Sequence, residues 1–155
     1  MSVSFLRIDD RMIHGQTVTR WSLEYPCDGL IAVNDKAATT DALKMAYKSA
    51  STKKTFVWTY EAWKQKNQKV LDSKDQYFLI TKDPIQMKKI LVDDGFVPSD
   101  VKKVIVGPCN DRPEAVKLGN NQSITQEEAE ALEAISKAGY EIEFALIKEA
   151  SIGTW

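Results

Sequence analysis

Val3-Ser4-Phe5-Leu6-Arg7-Ile8 runs without a break into Asp9-Asp10-Arg11-Met12-Ile13-His14-Gly15-Gln16. The apolar lead-in predicts a strand. Val18 and Trp21 then fall at helical spacing, so the passage between them is predicted to be the loop joining a first strand to a first helix. It holds the only histidine in 155 residues. In open α/β sheets, ligands bind beyond the carboxyl ends of the strands. A helix start there offers unpaired N–H groups and positive dipole to an anion. A neutral imidazole is a nucleophile near pH 7. Were a phosphoryl group to land on His14, Arg7 or Arg11 could share its charge through forked donors. Gly15 lets the backbone approach without a Cβ in the way, and Gln16 extends the helix-start donors. Asp9 or Asp10 could hold the other ring nitrogen and fix the tautomer. Local composition alone is equally compatible with a solvated histidine in a polar strand-end loop.

Outward from this passage, strand and helix patterns alternate. Leu30-Ile31-Ala32-Val33 is a continuous apolar run, as expected of a strand buried on both faces. Thr40 is a candidate cap for a helix carrying Leu43, Ala46, Tyr47 and Ala50 on one side. Thr55 to Trp58 reads as a third strand, with Thr59 capping a polar helix. Tyr77 to Thr81 reads as a fourth. Asp83-Pro84 is a helix start, an acid cap followed by proline at the first helical position, and Gly95 ends that helix. Val101 to Val106 predicts a fifth strand, closed by Gly107-Pro108. Cys109 to Gln122 reads as a loop, with a short strand near Ser123-Ile124. Thr125-x-x-Glu128 is a capping box before a helix ending at Gly139. Tyr140 to Leu146 alternates with period two, predicting a half-exposed strand at a sheet edge. Lys148 to Trp155 shows no clear element.

The expected architecture is a single α/β domain over residues 1–155, with a mostly parallel open sheet, helices on both faces, and an antiparallel edge strand allowed at the C-terminus. Lys and Arg number 21 against 22 Asp and Glu, a net charge of −1. That balance gives no reason to expect nucleic acid, which usually needs a basic face. The cysteines, Cys27 and Cys109, lie far apart with no metal spacing, which argues against a zinc site. No apolar run approaches the roughly 20 residues needed to span a bilayer, so a cytoplasmic chain is expected, meeting the membrane only through partners.

Arg7-Ile8-Asp9-Asp10-Arg11-Met12-Ile13-His14-Gly15-Gln16 closely resembles the phospho-acceptor loop of the enzyme IIB components of the mannose/fructose/sorbose-type sugar phosphotransferase system, the PTS. Met12 alone departs, standing where that loop usually has leucine. Leu30 to Asp35 is similar to the family's second strand, which ends Val-Asn-Asp. Ile80 to Pro84 and Ser123 to Thr125 match at lower specificity. Val104-Ile105-Val106-Gly107-Pro108-Cys109 falls where many members have Val-Gly-Gly-Met, and Pro108 there removes a backbone N–H and fixes φ. Arg112 is a candidate extra anion contact in the loop that follows.

The resemblance implies a phosphocarrier. His14 would accept a phosphoryl group from a phosphohistidine on a IIA component and pass it to a sugar held by the membrane components IIC and IID. Arg11 and Arg7 would neutralise the phosphoryl oxygens. Asp9 or Asp10 would orient the imidazole or take the sugar hydroxyl proton, and strand pleat decides which of the two faces the pocket. No metal or other cofactor is implied, since the group arrives on a protein and no Gly-x-x-x-x-Gly-Lys-Ser/Thr loop is present. The alternative, from another class, is a non-catalytic α/β anion-binding or regulatory module that keeps the loop. A hydrolase is disfavoured, because His14 lacks a Ser or Cys partner motif.

Overall fold

Six parallel strands carry the molecule. The computed structural model describes residues 3–14, 19–98, 101–109, 115–119, 122–145 and 151–155. In chain order the elements are β1 (Val3–Ile8), β2 (Gly29–Val33), α1 (Asp35–Thr39), α2 (Asp41–Ser49), β3 (Lys54–Trp58), α3 (Tyr60–Asp72), β4 (Tyr77–Thr81) and α4 (Pro84–Lys88). Then come β5 (Lys103–Val106), the hairpin β6 (Val116–Gly119) and β7 (Gln122–Ile124), α5 (Gln126–Lys137), β8 (Glu141–Ala145) and β9 (Ser151–Thr154). The main sheet runs β3-β2-β4-β1-β5-β8-β9. Every pairing in it is parallel except β8 with β9.

Period two divides the strands' side chains between two cores. Leu6, Ile8, Ile31, Val33, Leu79, Val104 and Val106 face α3, α4 and α5 through Trp63, Val70, Met87, Leu132 and Ile135. Phe5, Leu30, Ala32, Phe78, Ile80 and Ile105 face the other way, onto Met12, Ile13, Trp21 and Ala37. Helices therefore cover both faces, as parallel strands require. β1 is central and buried, so its carboxyl end opens at the middle of the sheet.

Three of the local start signals act as read, whereas Thr40 stands at the start of α2 without a side-chain cap bond. Thr59 accepts from the Ala62 amide, and Asp83 accepts from that of Gln86 ahead of Pro84. Thr125 and Glu128 form a reciprocal capping box. α4 widens into a π-helical turn over Lys89–Asp93 before Gly95 turns the chain at φ 65°.

Three elements differ from the sequence reading. Asn34 does not merely end β2; its side chain accepts from the Ala37 amide and starts the one-turn helix α1. The segment after Cys109 contains a hairpin, β6 with β7. β8 is an interior strand between β5 and β9, and the antiparallel edge strand is β9, in the tail that has no pattern of its own. Its anchor is long-range: the Trp155 amide donates to the Ile142 carbonyl, and the Trp155 ring lies 6.3 Å from Phe144. Among the described residues no helix is long and apolar enough to cross a membrane.

Candidate functional site

The loop after β1 is wound around one buried carboxylate. Asp9 is 0% exposed. Its Oδ1 accepts from the Arg11 amide at 2.9 Å, and its carbonyl accepts from the Met12 amide at 2.8 Å. These two bonds reverse the chain immediately after the strand. Met12 completes the reversal at φ 56°, the left-handed region that a side chain seldom occupies. Burial of Met12 and Ile13 in the second core holds it there.

The same carboxylate gathers both arginines. Arg7 Nε donates to Asp9 Oδ2 at 3.2 Å. Arg11 donates through Nε to Oδ1 and through Nη2 to Oδ2, each at 3.3 Å. The two cations differ in environment. Arg7 is 2% exposed, whereas the Arg11 side chain keeps 33% of its surface in solvent. Arg7 Nη1 also donates to the Ala145 carbonyl at 3.2 Å, and its guanidinium lies 5.5 Å from the centre of the Trp21 ring. Burial pulls the Arg7 pKa below its ordinary value, and Asp9 opposes that pull. Charge burial of this kind is tolerable because the pair is hydrogen-bonded on several sides.

Gly107, at the end of β5, makes the space. A Cβ there would lie 2.4 Å from Arg7 Nη2 and 3.1 Å from Asp9 Oδ2. The Gly107 amide donates to the Ile8 carbonyl, and the next residue, Pro108, accepts from the Asp10 amide at 2.9 Å. The strand ends of β1, β4 and β5 thus grip the loop from both sides, since the Asp9 amide also donates to the Thr81 carbonyl. Pro108 loses an N–H but serves through its carbonyl.

Asp10 and His14 lie half-buried beyond this anchor. His14 Nδ1 is shielded from solvent and has no hydrogen-bond partner among the described residues. Tyr47 of α2 packs against the second core, to which Met12 and Ile13 belong. Its phenol pKa is raised, first by burial and then by the charges of Asp9 and Asp10. The site therefore contains a histidine nitrogen with unspent bonding capacity, a semi-exposed guanidinium, and two carboxylates in distinct environments.

Of the residues singled out from sequence, Arg7, Asp9, Asp10, Arg11 and His14 come together on this turn. Gly15, Gln16 and Arg112 lie outside the described residues. From sequence, Gly107-Pro108 is marked only as a departure from the family loop, and neither the Ala145 carbonyl nor the Trp21 and Tyr47 rings are reached. A glycine at a strand's carboxyl end was the one available signal.

Comparison with known proteins identifies the family. A family model described as PTS system sorbose subfamily IIB component matches residues 3–155. The mannose-specific EIIAB component of Escherichia coli is 26% identical over 147 residues, covering 92% of this chain but 44% of that protein. This chain thus spans under half of that relative. The fructose-specific EIIB component of Bacillus subtilis is 25% identical, covering 92% of this chain and 86% of that one. Among solved structures, the IIBSor domain of the Klebsiella pneumoniae sorbose permease superposes with a TM-score of 0.83 at 20% identity, over 99% of this chain and 93% of that one. At that identity the likeness speaks for the fold. With the family match running from β1 to the last residue, the chain belongs to the sorbose subfamily of IIB components of the sugar phosphotransferase system.

Proposed function

We propose that His14 is the phosphoryl carrier of this IIB component. It takes the group from a phosphohistidine on a IIA protein and delivers it to a sugar bound by IIC and IID partners. The N–P bond to the donor histidine breaks as the His14 ring nitrogen attacks phosphorus. In the second step a sugar hydroxyl oxygen attacks and His14 leaves, the hydroxyl proton passing to a base. Transfers of this kind need positioning and charge stabilisation more than covalent assistance.

The observation that carries the reading is the pairing of an unspent His14 nitrogen with a turn locked by buried charge. Arg11 is the cation able to reach incoming phosphoryl oxygens, because a third of its side chain is in solvent. Arg7 acts through Asp9: it is too buried to meet a docking partner and instead fixes the carboxylate that fixes Arg11. Asp10 is the better candidate to orient the imidazole or take the proton, since Asp9 is committed to the two arginines. Gly15 and Gln16 remain candidates for amide donors by analogy with the family loop. The protein works at the cytoplasmic side of the membrane through its permease partners and needs no metal.

The test is sugar phosphorylation by membranes bearing cognate IIC and IID, driven by phosphoenolpyruvate, the general PTS proteins and a IIA protein. Wild type supports phosphosugar formation from one of a panel containing mannose, fructose, sorbose and N-acetylgalactosamine. His14→Ala supports none. Undiminished phosphosugar formation by His14→Ala would refute the assignment.

A further inference from the structure

A feature that the His14 loop does not use lies on the opposite face of the sheet. Between the edge strand β3, its neighbours and α3 is a cleft of about 310 Å³, the size of a small-ligand pocket. Its wall is aromatic: Phe56 lies 5.3 Å from Trp58 and 6.2 Å from Tyr77, centre to centre. Its rim carries Lys66, Lys69 and Ser73 from α3 and its C-cap. The aromatic wall packs against the α3–α5 core, whereas the His14 loop is anchored in the other one.

Among the described residues, the two lysines at this rim are held without a carboxylate partner. Lys54, Lys64, Lys88 and Lys103 each reach a carboxylate. Lys66 and Lys69 make no ion pair among the described residues, and the Lys66 ammonium instead lies 5.0 Å from the centre of the Trp58 ring. Like charges three residues apart on a helix repel. The C-terminal dipole of α3 favours Lys69 in its last turn, but it does not account for Lys66 over an aromatic face. Ser73 Oγ accepts from the Asp75 amide, which leaves its O–H to donate.

We propose that this cleft binds a small ring-bearing phosphate ester, its ring against the Phe56–Trp58 wall and its phosphate between Lys66 and Lys69. A nucleobase gains by stacking on aromatic side chains, the C–H face of a sugar ring packs on them through apolar contact, and two ammonium groups with a hydroxyl suit a phosphate better than any neutral group. A nucleotide or a sugar phosphate supplies this chemistry. The site shares no residue with the His14 loop, so its failure would leave the phosphocarrier reading untouched.

Titration of isotope-labelled protein with AMP, glucose 6-phosphate and inorganic phosphate tests it, following the Trp58 indole N–H resonance assigned through Trp58→Phe. One of the two esters shifts that resonance saturably, and which one does so identifies the ring. Inorganic phosphate binds at least about tenfold more weakly than that ester. Lys66→Gln with Lys69→Gln weakens the ester by about tenfold or more, while the melting temperature and His14 phosphorylation stay as in wild type. Absence of a saturable shift with both esters up to about 10 mM, or binding unchanged in the double lysine variant, would overturn the proposal.

Discussion

The two halves of the first loop are built on opposite terms. From Arg7 to Met12, Arg7 and Asp9 are buried and bonded to each other, Arg11 joins them from the partly exposed side, and the backbone is held by the ends of the two neighbouring strands, β4 and β5. At His14 the ring is half-buried and its Nδ1 is uncommitted among the described residues. On the proposed role of His14, the difference is that of a reactive side chain positioned without being tied down. A ring nitrogen locked in a strong hydrogen bond is a poorer nucleophile, and a residue that gains and loses a phosphoryl group must tolerate both charge states. Rigidity is therefore supplied by the neighbouring half, where a buried ion cluster costs nothing in reactivity.

The comparison breaks most severely at Asp9. Asp9→Ala leaves the Arg7 charge buried without its carboxylate and removes the turn's side-chain bond. The expected loss is about 3–5 kcal/mol, with a fall in melting temperature on the order of 10 °C, read by thermal denaturation. A loss below about 1 kcal/mol would mean the cluster is not what holds the turn. Gly107→Ala should come next, at about 1–3 kcal/mol, because its Cβ would drive into the Arg7 guanidinium. It should slow phosphoryl transfer as well, since displacing Arg7 moves Asp9 and through it Arg11.

Arg11→Ala sharpens the contrast, since stability and transfer should part company. Its pair with Asp9 is partly exposed, so the stability loss should stay near about 1 kcal/mol. Transfer from phospho-IIA should fall about 100-fold, measured by quenched-flow labelling. The smallest effect is electrostatic. The Tyr47 phenol holds its proton more tightly in the folded state, so its contribution to stability is present below pH 10 and is lost as pH rises through the folded value. Asp10→Asn removes one of the charges responsible, and Tyr47 should then titrate at lower pH by ultraviolet absorbance. Titration unchanged in Asp10→Asn would separate Tyr47 from the site.

Much of the scaffold was legible because its signals are local. Asp83-Pro84 and Thr125-x-x-Glu128 start helices through bonds within four residues, and short apolar runs such as Leu30 to Val33, bounded by turn residues, suit doubly covered strands. β9 was not legible, because four residues including Gly153 at φ 136° form a strand only by pairing with β8. The site divides the same way. The residues proposed to be reactive sit within one short loop and could be named from sequence. Their division of labour could not, because it depends on contacts from afar: Arg7 is fixed by a carbonyl 138 residues away, and its space exists because position 107 has no side chain. Asp9 and Asp10 are chemically equal in sequence, and only the turn at the end of β1 buries one and leaves the other half-exposed.

Intact mass after incubation with phosphoenolpyruvate, the general PTS proteins and a IIA protein tests the central claim most directly. Wild type should gain a single adduct of about 80 Da, stable in base and lost in acid, as a phosphohistidine is. His14→Ala should fold with a melting temperature close to wild type and gain none. An adduct persisting in the folded His14→Ala protein would contradict the account, because the phosphoryl group would then be carried by another residue.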